Sequence, residues 1–161
     1  MLLFIQLYKL KSKRIASSNV IKTEIVCPND ANPMGILQGG KLVQWMDIAA
    51  AVCAQTHAEC ICVTASINEI SFKKSAKVGD IVTINAKITR AFNTSMEIKV
   101  EAFSKSISDK KKHLISESFF IFVAFNDTGK PISIATIQPK SAQEIQDFNN
   151  ASKRKNKFTT L

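Results

Sequence analysis

The sequence predicts a single α+β domain in which a mostly antiparallel sheet curls around one long helix, and three observations predict it. The stretch Lys41 to Ala58 contains neither Gly nor Pro and places apolar side chains on nearly every side, so it reads as a helix buried all round. From Cys62 onward apolar residues recur at every second position, the periodicity of half-buried strands. A chain of 161 residues with 45% hydrophobic content holds one packed core and is short for two.

The helix, at 1.5 Å per residue, spans roughly 27 Å, about the width of a small domain. Gly39 and Gly40 precede it, where a close approach to the helix start is easiest. In Ile81 to Arg90, Val82, Ile84, Ala86 and Ile88 share one face against Thr83, Asn85, Lys87 and Thr89, and Met96, Ile98, Val100 and Ala102 alternate with Glu97, Lys99 and Glu101. Phe119 to Phe125 is apolar on both faces, as a central strand would be. Cys62 to Ile70 and, more weakly, Val20 to Cys27 complete the set. Val78-Gly79-Asp80 and Asn126 to Gly129 supply turns, and Lys110 to Lys112 reads as a solvated hairpin tip. The expected organisation is an N-terminal extension over 1–18, one domain over 19–139 and a basic C-terminal tail over 140–161. A sheet covering one side of an apolar helix leaves apolar surface and an edge exposed, so dimerisation is expected.

The formal charge of +9 is carried by the ends. Lys9, Lys11, Lys13 and Arg14 lie in one, Lys153, Arg154, Lys155 and Lys157 in the other, leaving +1 between them. No aromatic residues interleave with these charges, so solvated ends are expected rather than a nucleic-acid arm. Met1 to Leu10 has no positive leader and no small-residue cleavage site, so no signal peptide is expected, and no run of about 18 apolar residues predicts a membrane span. Cys27, Cys53, Cys60 and Cys62 form no CxxC pair and have no His at ligand spacing. They are expected to be reduced thiols in a cytoplasm rather than metal ligands.

Asp47 is the residue that patterning leaves over. Between Leu42 and Ala54 only it and Gln44 are polar, and a carboxylate in a buried helix is costly unless paired or functional. It could serve as a general base, or be neutralised by a structural cation or turned to solvent. The polar loop Asn29 to Gly35 leads to the helix, with Asn32 held extended by Pro33. Backbone N–H groups at Gly39 and Gly40, at the positive end of the helix dipole, suit a developing oxyanion. Gly35 to Lys41 fits the GxxxxGK spacing of a phosphate loop, but Leu42 stands where Ser or Thr should hold magnesium. Cys53 and His57 share a helix face as nucleophile and base could, although a buried thiol and a helix-end histidine explain them more simply. No GxSxG elbow is present.

Several stretches together resemble one family: Asn32-Pro33-Met34-Gly35, Gly39 to Asp47, Val63-Thr64-Ala65-Ser66-Ile67, Val78-Gly79-Asp80 and Thr89 to Ile98. In order and spacing they are similar to the hotdog-fold acyl-CoA thioesterases, above all the cytosolic acetyl-CoA hydrolase and brown-fat-inducible group and the bacterial YciA enzymes. The likeness runs from about Glu24 to Phe125. It implies an acyl-CoA thioester hydrolase with Asn32 and Asp47 as catalytic residues contributed by different subunits. Asp47 would be base toward water, or alternatively nucleophile, and the Gly39 and Gly40 amides would polarise the carbonyl. Arg90, Asn93, Thr94 and Ser95 would bind CoA. It also implies a homodimer as the minimal active unit, assembled as a trimer of dimers into a hexamer, and no metal or organic cofactor, CoA being part of the substrate. Neither nucleic acid nor a membrane is an expected partner. Two other readings stand beside it: a non-catalytic acyl-CoA-binding module, and a dehydratase, which His57 serves poorly because it lies far along the helix from the loop.

Overall fold

The computed structural model describes residues 12–158, with side chains up to Lys155; Met1 to Leu10 and Lys157 fall outside these limits. The order is β1 (Lys13–Arg14), β2 (Val20–Ile25), α1 (Gly39–Ala58), β3 (Ile61–Ile67), β4 (Ser71–Phe72), β5 (Ile81–Ala91), β6 (Ser95–Lys105), β7 (His113–Phe125), β8 (Ile137–Gln138) and α2 (Ala142–Phe158). Single 3-10 turns occupy Ile15–Ser18 and Pro28–Asp30. The main sheet runs β2-β5-β6-β7-β3, with β4 also on β7, and every pairing in it is antiparallel. A two-residue parallel ladder joins β1 to β8. The hotdog arrangement of a curled sheet around one long helix is therefore present.

Alternation sets the core. Val82, Ile84, Ala86 and Ile88 of β5 and Met96, Ile98, Val100 and Ala102 of β6 are all buried, on the face that packs against α1. They meet Leu42, Trp45, Met46, Ala49, Ala50, Cys53 and Ala54 of the helix. Each large aliphatic side chain so buried contributes about 1.5–3 kcal/mol. Gly39 and Gly40 lie inside the first helical turn rather than before it. The helix is also not covered all round. Gln44, Ile48, Val52 and Gln55 form an exposed stripe, with Ile48 45% and Val52 46% exposed. The physical reason is that β3 is an edge strand, so the sheet ends before it closes over that side.

The basic tail is not solvated over its length. Residues 142–158 form α2, which packs on the outer face of the sheet against β5. Glu97, which alternation places on that outer face, is only 1% exposed because α2 covers it. Arg154 donates from Nε at 2.9 Å and Nη2 at 2.7 Å to the Glu97 carboxylate, and Thr89 Oγ1 donates at 2.5 Å. The guanidinium stacks 3.7 Å above the Phe119 ring. Upstream, Lys87 pairs with Asp147 at 3.6 Å. Arg90 lies 4.1 Å over Phe148 and donates to its carbonyl at 3.1 Å.

His57, 1% exposed at the end of α1, donates from Nε2 to the Ala135 carbonyl at 2.7 Å, while its Nδ1 is buried without a partner. Burial holds its pKa below the usual 6.5, opposed by the Ala135 carbonyl and Glu59 and reinforced by Lys13. Cys53 is buried as well, and desolvation pushes its thiol up to about 12. The pair is therefore packing, not a nucleophile and its base.

Two outcomes follow from these buried groups. Arg154→Ala leaves the Glu97 carboxylate buried without its cation and should lower stability by about 3 kcal/mol in urea titration, whereas replacing both partners by apolar residues should recover most of it. The unfolded chain takes up a proton at His57 near pH 6.5 and the folded chain only at lower pH. Stability is then fully present above 6.5 and declines as pH falls below it; His57→Gln should flatten that part of the stability curve, measured by urea midpoints against pH.

Candidate active site

Asp47 sits beside the uncovered stripe of α1, half-buried. Its Oδ1 accepts a hydrogen bond from Thr64 Oγ1 at 2.8 Å. Thr64 lies on β3 opposite Phe122, directly before a bulge that ends at Ser66. Alternation from the buried Cys62 puts Thr64 on the helix side of the sheet, and the bulge turns Ser66, opposite Ile121, to the outer side. An edge strand thus holds a carboxylate in one orientation at the open margin of the domain, where a second molecule can reach it. Thr64 was within the motif that carried the resemblance but was not singled out, because a threonine in a strand is an ordinary residue.

Asn32 is fixed by its own loop. Its Oδ1 accepts from the Met34 N–H at 3.0 Å and the Ile36 N–H at 3.4 Å, and its backbone N–H bonds to the Ile36 carbonyl at 2.9 Å. Gly35, at φ +72, makes the turn that closes this loop. With the amide oxygen occupied, the Asn32 NH₂ is what the side chain has left to offer. Asn32 and Gly39 line a cavity of about 440 Å³. A Cβ on Gly39 would stand 3.0 Å from the Phe72 ring, so that glycine is needed for the ring to close on the helix start; Gly40 faces open space.

Among the described residues no hydrogen bond joins Asp47 to Asn32. Seven residues of helix separate Asp47 from Gly40, about 10 Å along the axis. A chain cannot bring its own first-turn amides to its own carboxylate.

The stretch from Arg90 to Ser95 divides. Arg90 is engaged by α2 through Phe148. Asn93 accepts from the Ser133 hydroxyl at 2.9 Å and, at its carbonyl, from the Ile134 N–H, while the Thr94 carbonyl accepts from Ala124. These contacts tie strands and the 131–136 segment together. Ser95 instead faces a cavity of about 230 Å³ on the outer side of the sheet, shared with Ser66, Phe92, Arg154 and Lys155. Arg154 and Lys155 of α2 line the same cavity as Ser95, although charge alone predicts them in solvent.

The thioesterase superfamily matches residues 34–110. The chain is 35% identical over 141 residues to the acetyl-coenzyme A thioesterase of Mus musculus, covering 88% of this chain and 25% of that one. It spans about a quarter of the length of the mouse and rat relatives of this kind. It is 33% identical to the uncharacterised acyl-CoA thioester hydrolase YkhA of Bacillus subtilis, over 86% of this chain and 81% of YkhA. Among solved structures, an apo-hexameric acyl-CoA thioesterase superposes with a TM-score of 0.89 at 34% identity, over 94% of this chain and 99% of that one. An acyl-CoA hydrolase from Staphylococcus aureus, in complex with butyryl coenzyme A, coenzyme A and coenzyme A disulfide, gives 0.86 at 31% identity, over 92% and 90%. That enzyme has also been solved with alanine replacing an aspartate, an asparagine or a threonine. With a related chain covered almost end to end and a curled sheet wrapped on one helix, this protein belongs to the hotdog thioesterase superfamily.

Proposed function

We propose that this protein hydrolyses acyl-CoA to a carboxylic acid and CoA in a site completed by two subunits, with water the only co-reactant. The observation that carries the reading is the Asp47 carboxylate, held by Thr64 at the open margin of α1. Its support from relatives is specific. The asparagine, aspartate and threonine replaced in the Staphylococcus aureus hydrolase follow one another at the same intervals as Asn32, Asp47 and Thr64.

Asp47 takes a proton from water as the water oxygen attacks the thioester carbonyl. Asn32 of the partner subunit orients that water or the substrate, and the Gly39 and Gly40 N–H groups of the partner subunit receive the developing oxyanion. Collapse of the tetrahedral intermediate breaks the C–S bond. The CoA sulfur leaves as thiolate and is protonated, regenerating the Asp47 carboxylate. Thr64 fixes which carboxylate oxygen faces the water. Direct attack by Asp47 through an anhydride would give the same products.

The assembly is a dimer across the β3 edge and the Ile48–Val52 stripe, repeated as a trimer of dimers, in line with the hexameric relative. Arg90, Asn93 and Thr94 shape the ground on which CoA lies, and Ser95 with the α2 cations contacts its phosphates. The cytoplasm is the compartment, as in the rat and mouse relatives named cytosolic acyl coenzyme A thioester hydrolase. No helix among the described residues is long and apolar enough to cross a membrane.

Asp47→Ala should reduce kcat by roughly 100-fold or more while the oligomer persists on size exclusion; unchanged turnover removes Asp47 from the mechanism, and binding of acyl-CoA with no turnover by the wild type would favour a binding module. Mixing inactive Asn32→Ala and Asp47→Ala chains should restore activity toward about one quarter of wild type, since a two-fold heterodimer keeps one intact site of two. No recovery after subunit exchange would mean that each site lies within one chain.

A further inference from the structure

Beside Asn32 and Gly39 lies the cavity of about 440 Å³; Ile36, Leu37, Leu42, Phe72, Ala76 and Ile115 give it an apolar wall, and Lys73, Lys74 and Ser75 line the rest. Leu42, Ala76 and Ile115 are buried, so its floor belongs to the core of the domain. Two parts of the substrate could lie against such walls. Against the apolar wall the two amides of the pantetheine arm of CoA would lose hydrogen bonds, whereas an acyl chain has none to lose. We infer that this recess receives the acyl chain, and that Phe72 sets how long a chain it accepts. The inference rests on the hydrolase reading above, which places the carbonyl at the mouth of the same recess.

Phe72 is suited to the task by its place in the fold. It lies on β4, only two residues long, which pairs with β7 through Ser71 opposite Glu117 and Phe72 opposite Ser116. The ring closes on the helix start at Gly39, where no side chain intervenes, and yet it is 55% exposed. It is a wall contributed by a short peripheral element rather than by the core, so its size can change without unfolding what lies beneath. Lys73 beside it is tied to Glu117, and the Lys73 N–H bonds to the Ile115 carbonyl at 2.8 Å, which holds the ring over the recess.

The test is thiol release from acetyl-, butyryl-, octanoyl- and lauroyl-CoA by the intact oligomer. Each further methylene that finds apolar cover is worth about fourfold in kcat/KM. Phe72→Ala is expected to raise the octanoyl-to-butyryl ratio of kcat/KM by about tenfold, the equivalent of nearly two methylenes newly sheltered, and Phe72→Trp to lower it. A ratio unchanged in both variants, or an equal loss on every substrate, overturns the assignment. If the wild type hydrolyses acyl-CoA but its profile ignores Phe72, only the assignment of the recess falls. If the wild type hydrolyses none of the four, the hydrolase reading falls and takes this one with it.

Discussion

The sheet can bury α1 only as far as its strands reach, and it stops at β3. The helix is apolar on nearly every side, so the unclosed margin leaves Ile48 and Val52 in water next to Asp47. Apolar cover and chemistry are thus set by one boundary. A carboxylate one turn deeper would lose its hydration with nothing to replace it. At the margin it keeps a hydrogen bond from Thr64 and remains open to a substrate. The exposed stripe and free sheet edge are what a second copy would cover, so the surface that calls for a partner is the surface that holds the carboxylate.

The outer face of the sheet answers a different demand. Glu97 is buried there as a charge, which is tolerable only because Arg154 and Thr89 satisfy it. That places α2 in a single position, and the 131–136 segment leading to it is stitched down in turn. Ile132 bonds to Ala124, Ile134 to Asn93, and His57 to the Ala135 carbonyl. The segment from Arg90 to Thr94 therefore does structural work that its sequence motif does not reveal, while Phe92 and the adjoining Ser95 line the cavity on the outer side of the sheet.

Much of the fold was legible because two periodicities differ so plainly. The long helix and the strands at Ile81 to Arg90 and Met96 to Ala102 stand within two or three residues of their expected limits. The two-residue strands β1, β4 and β8 were not legible, since two residues carry no period. Residues 142–158 read as a solvated tail from composition alone, because their basic residues dominate it. The signal was the spacing of Ile145, Phe148 and Ala151, one face of a helix, together with an unmatched acid at Glu97 that needed a cation. Asp47 and Asn32 stood out, one as a polar group in an oily run and the other through its motif, whereas Thr64 becomes visible only when β3 is folded against α1.

A helix is rigid along its axis, and this has a consequence for how the proposed site is divided. Gly39, Gly40 and Asp47 are on the same rod, so their separation cannot be adjusted by loop movement or side-chain rotation within one chain. Two such rods packed antiparallel across a two-fold axis place the first turn of each beside the middle of the other, and both sites form or neither does. Asn32 belongs to the amide half of that division, because its loop is bonded to the segment entering the helix through the Ala31–Leu37 bridge and the Gln38 N–H to Asp30. Thr64 belongs to the carboxylate half. In the proposed dimer each chain carries two complete halves of different sites, and assembly would be the step that turns an isolated carboxylate into a base with a substrate in front of it.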